Sequence, residues 1–177
     1  TSRSKLPQPT SPPAKFPRAN LARRTKRGIG FSLCERGTGG GPCTAEVSIG
    51  EDGTVTIHIS LRDTGSGFYT MLRQVAGEVL GVAYDVIELK TWSTDALPTD
   101  GGVGGARVTN TAGNAVLEAS EQVRVQLAES VAGRLGVEPS AIDFRDGGVR
   151  VGNRVETLAE AMAAHGGALT VRHTHVA

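Results

Sequence analysis

Residues 44–81 read TAEVSIGEDGTVTIHISLRDTGSGFYTMLRQVAGEVLG, and the hydrophobic pattern changes once within them. Apolar residues alternate strictly through residues 44–49 and 54–61, on either side of a turn, which predicts a β-hairpin with one buried face. After Gly67 the apolar residues fall at helical spacing, and Gly81 then supplies a natural helix stop. A hairpin that leads into a helix is therefore the predicted centre of the fold.

The rest of the chain alternates between the same two patterns. The sequence predicts a short strand at residues 86–90, a long amphipathic helix over residues 116–135, two short strands around residues 146–148, a helix that begins at the Thr157 and Glu160 capping box, and a final strand at residues 168–172. Regular βαβ units and internal repeats are absent from this pattern. The predicted fold class is α+β, a mixed sheet with β-hairpins packed against two to three helices.

The composition changes near residue 24. The first 27 residues hold eight of the 19 Lys and Arg residues and none of the 18 Asp and Glu residues. We predict a basic, Pro- and Ser-rich arm over residues 1–23 and one folded domain over residues 24–177. The arm holds a single aromatic residue, Phe16, and no recognisable binding fold, so a solvated segment is the preferred interpretation and nucleic-acid binding is not expected.

The sequence contains no apolar run long enough to cross a membrane and no signal-peptide core at its start, so a cytoplasmic location is expected. A periplasmic location, as part of an exported complex, is the alternative. Cys34 and Cys43 lack metal-ligand spacing and are predicted to be reduced thiols, with pairing across a hairpin as the alternative. His173 and His175 are interpreted as an exposed strand end, and no metal ligand is predicted.

Two Gly-rich loops are the candidate binding elements. The first loop, residues 63–67, contains Gly65-Ser66-Gly67 and lies directly before a helix, whose first-turn N–H groups lack helical partners. Glycines there let an anion or a flat ring approach the backbone closely, although such glycines also make ordinary tight turns. The second loop, residues 94–109, has four glycines within residues 101–105 and also precedes a helix. It predicts either a close backbone approach to a ligand or a flexible surface loop.

Six short runs occur in a fixed order and spacing along the chain. They are RGIG at 27–30, DG at 52–53, GSGFYT at 65–70, QVAGEVLGV at 74–82, GGARVT at 104–109 and GNAV at 113–116. Together they resemble a molybdopterin-binding region of the xanthine dehydrogenase and aldehyde oxidase family, the molybdenum hydroxylases. The resemblance extends over residues 24–171.

The resemblance implies that both loops approach the pterin of a molybdenum cofactor from two sides. The implied cofactor-binding residues are Gly65, Ser66 and Gly67 in the first loop, and Gly104, Gly105, Ala106, Arg107 and Val108 in the second. Arg107 is the implied partner of a cofactor phosphate, with a solvated loop residue as the alternative. Ser66 stands where Gln is common in the family, and Ala106 and Val108 lack the hydroxyl groups common there. These departures reduce side-chain hydrogen bonding but leave the backbone N–H groups.

The family's catalytic glutamate lies in a Gly-Glu-Pro-like segment that this sequence does not match, so no catalytic residue is predicted. No set of cysteines could hold the family's iron–sulfur clusters. The resemblance implies a molybdenum-cofactor-binding segment of an oxidoreductase for aldehydes or aromatic N-heterocycles, small-molecule substrates, with the iron–sulfur clusters and FAD on partner regions or chains. The isolated chain is predicted to be inactive. The alternative is a non-catalytic interaction or scaffold module of the same fold.

Overall fold

A computed structural model of the protein describes residues 28–35, 37–91 and 100–177. The chain divides into two units, Thr1–Glu35 and Arg36–Ala177, and every helix and strand in the described residues belongs to the second unit. The arm predicted over residues 1–23 lies outside the described residues, so its boundary stays a prediction. None of the described helices is both long and apolar enough to cross a membrane.

The predicted hairpin forms the middle of a four-stranded sheet. Strand β1 (Pro42–Ile49) pairs antiparallel with β2 (Val55–Ile59). Strand β3 (Glu88–Thr91) lies parallel to β2, and β7 (Leu169–Val176) lies antiparallel to β1, which gives the order β3-β2-β1-β7. Strand β7 is longer than the predicted final strand, because all eight residues of β1 offer it a partner.

Three helices accompany the sheet. Helix α1 (Phe68–Leu80) follows the hairpin, and helix α2 (Gly113–Leu135) lies across β1 and β7 and beside α1. Helix α2 is preceded by a π-helical turn, Val108–Ala112. One stripe of α2 is fully buried against the sheet: Val116, Ala119, Val123, Leu127 and Val131. Each fully buried Val or Leu contributes about 1.5–3 kcal/mol relative to exposure, so this stripe fixes the helix on the sheet.

A second, smaller sheet consists of β4 (Asp143–Arg145), β5 (Gly148–Val151) and β6 (Arg154–Thr157), all antiparallel. The sequence pattern predicted only the first two of these strands. Helix α3 (Leu158–His165) follows, and its predicted capping box is present, because the Thr157 hydroxyl accepts from the Glu160 N–H and the Glu160 carboxylate accepts from the Thr157 N–H. The α+β fold class is confirmed.

Candidate cofactor-binding site

The first loop is built from local turn chemistry. The Asp63 carboxylate accepts a 2.9 Å hydrogen bond from the Gly65 N–H, and Gly65 and Gly67 have φ values of 91° and 74°. Gly67 is the N-cap of α1, and its carbonyl accepts from the Thr70 N–H at 3.1 Å. No side chain in the described part of the chain caps this helix. Its N-terminal end therefore keeps N–H groups available to a ligand.

The second loop also ends in left-handed backbone followed at once by a helical turn. Gly105 and Ala106 have φ values of 57° and 56°, and helical geometry begins at Arg107. The left-handed conformation costs a residue with a Cβ roughly 1–2 kcal/mol, so Ala106 adopts it under constraint. Both loops therefore place a left-handed residue immediately before the start of a helix.

These two helix starts meet at one cavity of about 250 Å³. It is lined by Ser66, Gly67, Phe68, Met71, Val103, Gly104, Ala106, Arg107, Val108 and Thr109. Six of the eight predicted site residues thus come together, although some forty residues separate the loops in sequence. Gly65 and Gly105 are adjacent in sequence to residues that line the cavity but do not line it themselves.

Arg107 is neither a solvated residue nor free to bind a phosphate. Only 7% of its side chain is exposed. Its Nε donates to the Gly40 carbonyl at 2.9 Å, Nη1 to Asp100 and to the Gly102 carbonyl, and Nη2 to Asp100 and to the Pro42 carbonyl. A guanidinium has five N–H donors, and these contacts use all of them. A contact with a cofactor phosphate would require one of these bonds to break.

The glycines before β1 are part of the same arrangement, and the sequence reasoning did not single them out. The Gly39 N–H donates to the Gly105 carbonyl at 2.9 Å. A Cβ at Gly39 would lie 2.7 Å from the Cβ of Arg107 and 2.8 Å from the Gly104 carbonyl oxygen. The run Gly39-Gly40-Gly41 directly before β1 was the available signal, since consecutive glycines allow two backbone segments to approach this closely.

Cys43 lies beneath the second loop. Burial, together with the hydrogen bond and the negative charge of Asp100, raises the pKa of the Cys43 thiol from 9.0 to about 12. The thiol therefore stays protonated at neutral pH and is a poor nucleophile and metal ligand. Cys34 and Cys43 are both free, so the predicted reduced thiols are what the structure contains.

The histidines do not form a second site. At the end of β7, His173 Nε2 lies 2.7 Å and His175 Nδ1 lies 3.1 Å from the carboxylate of Glu118 on α2. Both rings are partly buried against α2, so the predicted exposed strand end is more shielded than expected. Burial lowers the pKa of His58, while the nearby Glu46 carboxylate opposes that shift. Within residues 28–35, 37–91 and 100–177, no three side chains are arranged to hold a metal ion.

A larger groove of about 1170 Å³ lies elsewhere in the second unit. The hairpin turn, the C-terminal end of α1, the β4–β5 turn and the start of α3 line it, and none of the eight predicted site residues does. Three carboxylates line this groove, from Asp52, Glu78 and Asp146, against one arginine. We assign the candidate site to the smaller cavity, because only there do two glycine-bearing helix starts face the same space.

Known proteins that are similar to this chain identify its family. A family described as the molybdopterin cofactor-binding domain matches residues 5–176. The molybdenum-binding subunit PaoC of an aldehyde oxidoreductase from Escherichia coli (strain K12) is 35% identical over 130 residues, which are 73% of this chain and 17% of PaoC. The large subunit of nicotine 6-hydroxylase from Paenarthrobacter nicotinovorans is 32% identical over 104 residues, 59% of this chain and 13% of that protein.

Among solved structures, quinoline 2-oxidoreductase from Pseudomonas putida 86 has the same fold, with a TM-score of 0.66 and 23% identity, over 75% of this chain and 19% of that chain. The chain belongs to the molybdopterin cofactor-binding domain family. More particularly, it is a molybdopterin-binding segment of the xanthine dehydrogenase and aldehyde oxidase type, as the sequence predicted. It spans less than one fifth of these relatives, and its family match begins at residue 5, within the predicted arm.

Proposed function

We propose that this chain forms one wall of the molybdenum-cofactor site in a hydroxylase that oxidises aldehydes or aromatic N-heterocycles. The observation that carries the proposal is the meeting of the two Gly-rich loops, each at the start of a helix, around one cavity. Helix starts present backbone N–H groups and partial positive charge, which suit the phosphate and the polar ring edge of a pterin cofactor.

The residues of the cavity fit such a group. A Cβ added at Gly65 or Gly67 would meet nothing within 4 Å, so the space in front of the first loop is open to a ligand. Phe68 and Met71 give the cavity an apolar side, while the Ser66 hydroxyl and the loop backbones supply polar groups. Binding therefore rests on backbone and small side chains, which agrees with the absence of hydroxyl groups at Ala106 and Val108.

In this proposal the residues of the chain bind and orient the cofactor and take no part in the chemical step. Bound molybdenum cofactor supplies the two-electron redox chemistry of the hydroxylation. The first loop would hold one edge of the cofactor by N–H donation from the start of α1, and Gly104 and Ala106 would limit its position from the other side. Among the described residues that line the cavity, none is a general base, because Arg107 is the only titratable one of them and its N–H groups are all engaged.

The cavity is too small to enclose a whole cofactor. Pockets that enclose a small-molecule ligand measure roughly 300–1,000 Å³, whereas this one measures about 250 Å³. Other segments or subunits would complete the site, and they would also carry the catalytic base, the iron–sulfur clusters and FAD. The relatives' names support this, since two of them are described as subunits and act on aldehydes or on nicotine. A cytoplasmic location stays a prediction.

The test is the cofactor content of the protein as its own cells assemble it. The chain is tagged and purified with the segments or subunits that accompany it, and molybdenum and oxidised pterin are measured. We expect both at comparable amounts per chain. Their absence from the intact assembly would contradict the proposal and favour the scaffold module.

A matched pair of variants locates the cofactor. Gly67→Ala and Gly152→Ala both place a side chain at positive φ (74° and 57°) with nothing within 4 Å of the new Cβ. Only Gly67 lines the cavity. We expect both variants to lose similar, small amounts of stability, and only Gly67→Ala to lose molybdenum and pterin.

A further inference from the structure

Three chain segments are joined at a single side chain beside the cavity. Arg107 and Asp100, with the carbonyl groups of Gly40, Pro42 and Gly102, form what we call the Arg107 clasp. The guanidinium donates to both oxygens of Asp100, at 2.5 and 3.3 Å, and to all three carbonyls. The chain around the start of β1, the second loop and the first turn of the following helix are thus tied together.

Asp100 and the helix turn extend the clasp. The carboxylate of Asp100 also accepts from the Gly102 N–H at 2.8 Å, and its negative charge helps to raise the pKa of the buried Cys43 thiol. The Thr111 hydroxyl donates to the Arg107 carbonyl at 2.9 Å from within the core. Side chains of Asp100 and Arg107 are each only 7% exposed. Water therefore competes poorly for these bonds, and the described part of the second loop, residues 100–109, is anchored to buried structure.

The clasp lies next to the strained part of the loop. Gly105 and Ala106 both adopt the left-handed conformation, which is unfavourable for Ala106 because its Cβ crowds the backbone there. A residue with a Cβ stays in that conformation only where the surrounding structure determines it. Here the Gly39 N–H holds the Gly105 carbonyl, and the Arg107 N–H donates to the Gly104 carbonyl at 3.0 Å.

We infer that Arg107 and Asp100 are positioning residues, which hold the second loop in its cavity-facing conformation before any ligand binds. The inference rests on the proposed function only in taking the ligand to be the cofactor. Of the two sequence-based alternatives for this loop, it favours the close backbone approach to a ligand over the flexible surface loop. The side chain of Arg107 then contacts the protein and not the cofactor. The cofactor would contact the loop through the backbone of Gly104 and Ala106.

The test is amide hydrogen exchange of the purified 177-residue chain without ligand. The reporters are the N–H groups of Gly39, Gly102 and Arg107, which the clasp protects. Arg107→Lys keeps the charge but cannot make five planar donations. We expect exchange at the three reporters to accelerate roughly tenfold or more, because hydrogen bonds to a charged group are lost. Exchange within β1 and β2 should not change.

The matched control is Arg134→Lys, which alters another ion pair, with Glu156, at the far end of α2. It should leave the three reporters unchanged. Asp100→Asn serves as a milder variant in case Arg107→Lys does not fold, since an amide keeps an acceptor for Gly102 but loses the charge. A further variant, Ala106→Gly, removes the left-handed strain, so Arg107→Lys should accelerate loop exchange less in that background.

The possible outcomes distinguish the inference about Arg107 and Asp100 from the proposed function. Unchanged reporters in Arg107→Lys, or acceleration that is equal at every amide of the domain, would overturn the inference, because the second result means a role in global stability alone. Loop-specific acceleration supports it whether or not cofactor is found. Absence of cofactor from the intact wild-type assembly would overturn the proposed function and leave the exchange result standing. With cofactor present, Arg107→Lys should lower its content per chain while Arg134→Lys does not.

Discussion

The two loops that face the cavity reach similar geometry by different means. The first loop is made by its own residues: an aspartate that accepts from the backbone two positions later, and two glycines at positive φ. The second loop depends on residues far away in sequence, because its arginine is bonded to carbonyls 65 and 67 positions earlier. A local turn should tolerate a single substitution. A loop held by the buried, long-range Arg107 clasp should lose its conformation when one hydrogen-bond donor is removed.

The largest effect is expected for Arg107→Ala. This change leaves the Asp100 carboxylate buried without its partner, and removing one member of a buried ion pair costs about 3–5 kcal/mol. Urea unfolding followed by circular dichroism measures the free energy. Arg145→Ala is the control, since the Arg145–Asp143 pair is about half exposed and should cost less than about 1 kcal/mol. Equal losses in the two variants would remove the contrast between buried and exposed pairs.

Gly39→Ala comes next, at about 1–3 kcal/mol, because its Cβ would overlap the Arg107 side chain and the Gly104 carbonyl. Gly65→Ala in the first loop is the counterpart. Its Cβ meets open space, so only the positive φ is penalised, at roughly 1–2 kcal/mol. The two substitutions should also differ in their effect on amide hydrogen exchange at Gly102. Gly39→Ala should accelerate it, and Gly65→Ala should not. A Gly39→Ala variant with a native second loop would show that close approach is not required there.

The thiol beneath the second loop adds a pH dependence. The folded-state pKa of Cys43 is about 12, above its ordinary value of 9.0, so the folded state holds the proton more tightly than the unfolded state. The stability from this group is complete below pH 9 and is lost as the pH rises from 9 to about 12. Comparing the pH dependence of unfolding in the wild type and in Cys43→Ala isolates this contribution. Identical slopes above pH 9 would contradict it.

The smallest effect is expected in the first loop, for Asp63→Ala. Its carboxylate is exposed and makes one local bond to the Gly65 N–H, so a loss of about 0.5 kcal/mol is expected. Thermal unfolding is sensitive enough to detect it. A loss as large as that of Arg107→Ala would mean that the first loop too is held by more than local turn chemistry.

The same distinction explains what the sequence could predict. The hairpin, α1, the buried stripe of α2 and the capping box of α3 follow from short-range periodicity and were found. So were the two loops and the family, because their glycines and spacing are visible in the chain. The role of Arg107 was missed, since its partners at Gly40 and Pro42 lie 67 and 65 positions earlier, and no short-range pattern connects the glycine run there with Arg107. Strand β6 was missed as well, because Val155 is exposed and breaks the expected alternation of a buried strand.

The pairing of β1 with β7 has a consequence for how the domain folds. Thr44 and Thr174 share a 2.8 Å hydrogen bond across 130 positions of sequence. A ribosome must therefore release almost all of the domain before the sheet can gain its last strand, and until then β1 exposes one unpaired edge. High contact order of this kind slows folding and lengthens the period in which a nascent chain can aggregate. Removal of residues 169–176 should therefore expose that edge permanently and yield aggregated protein.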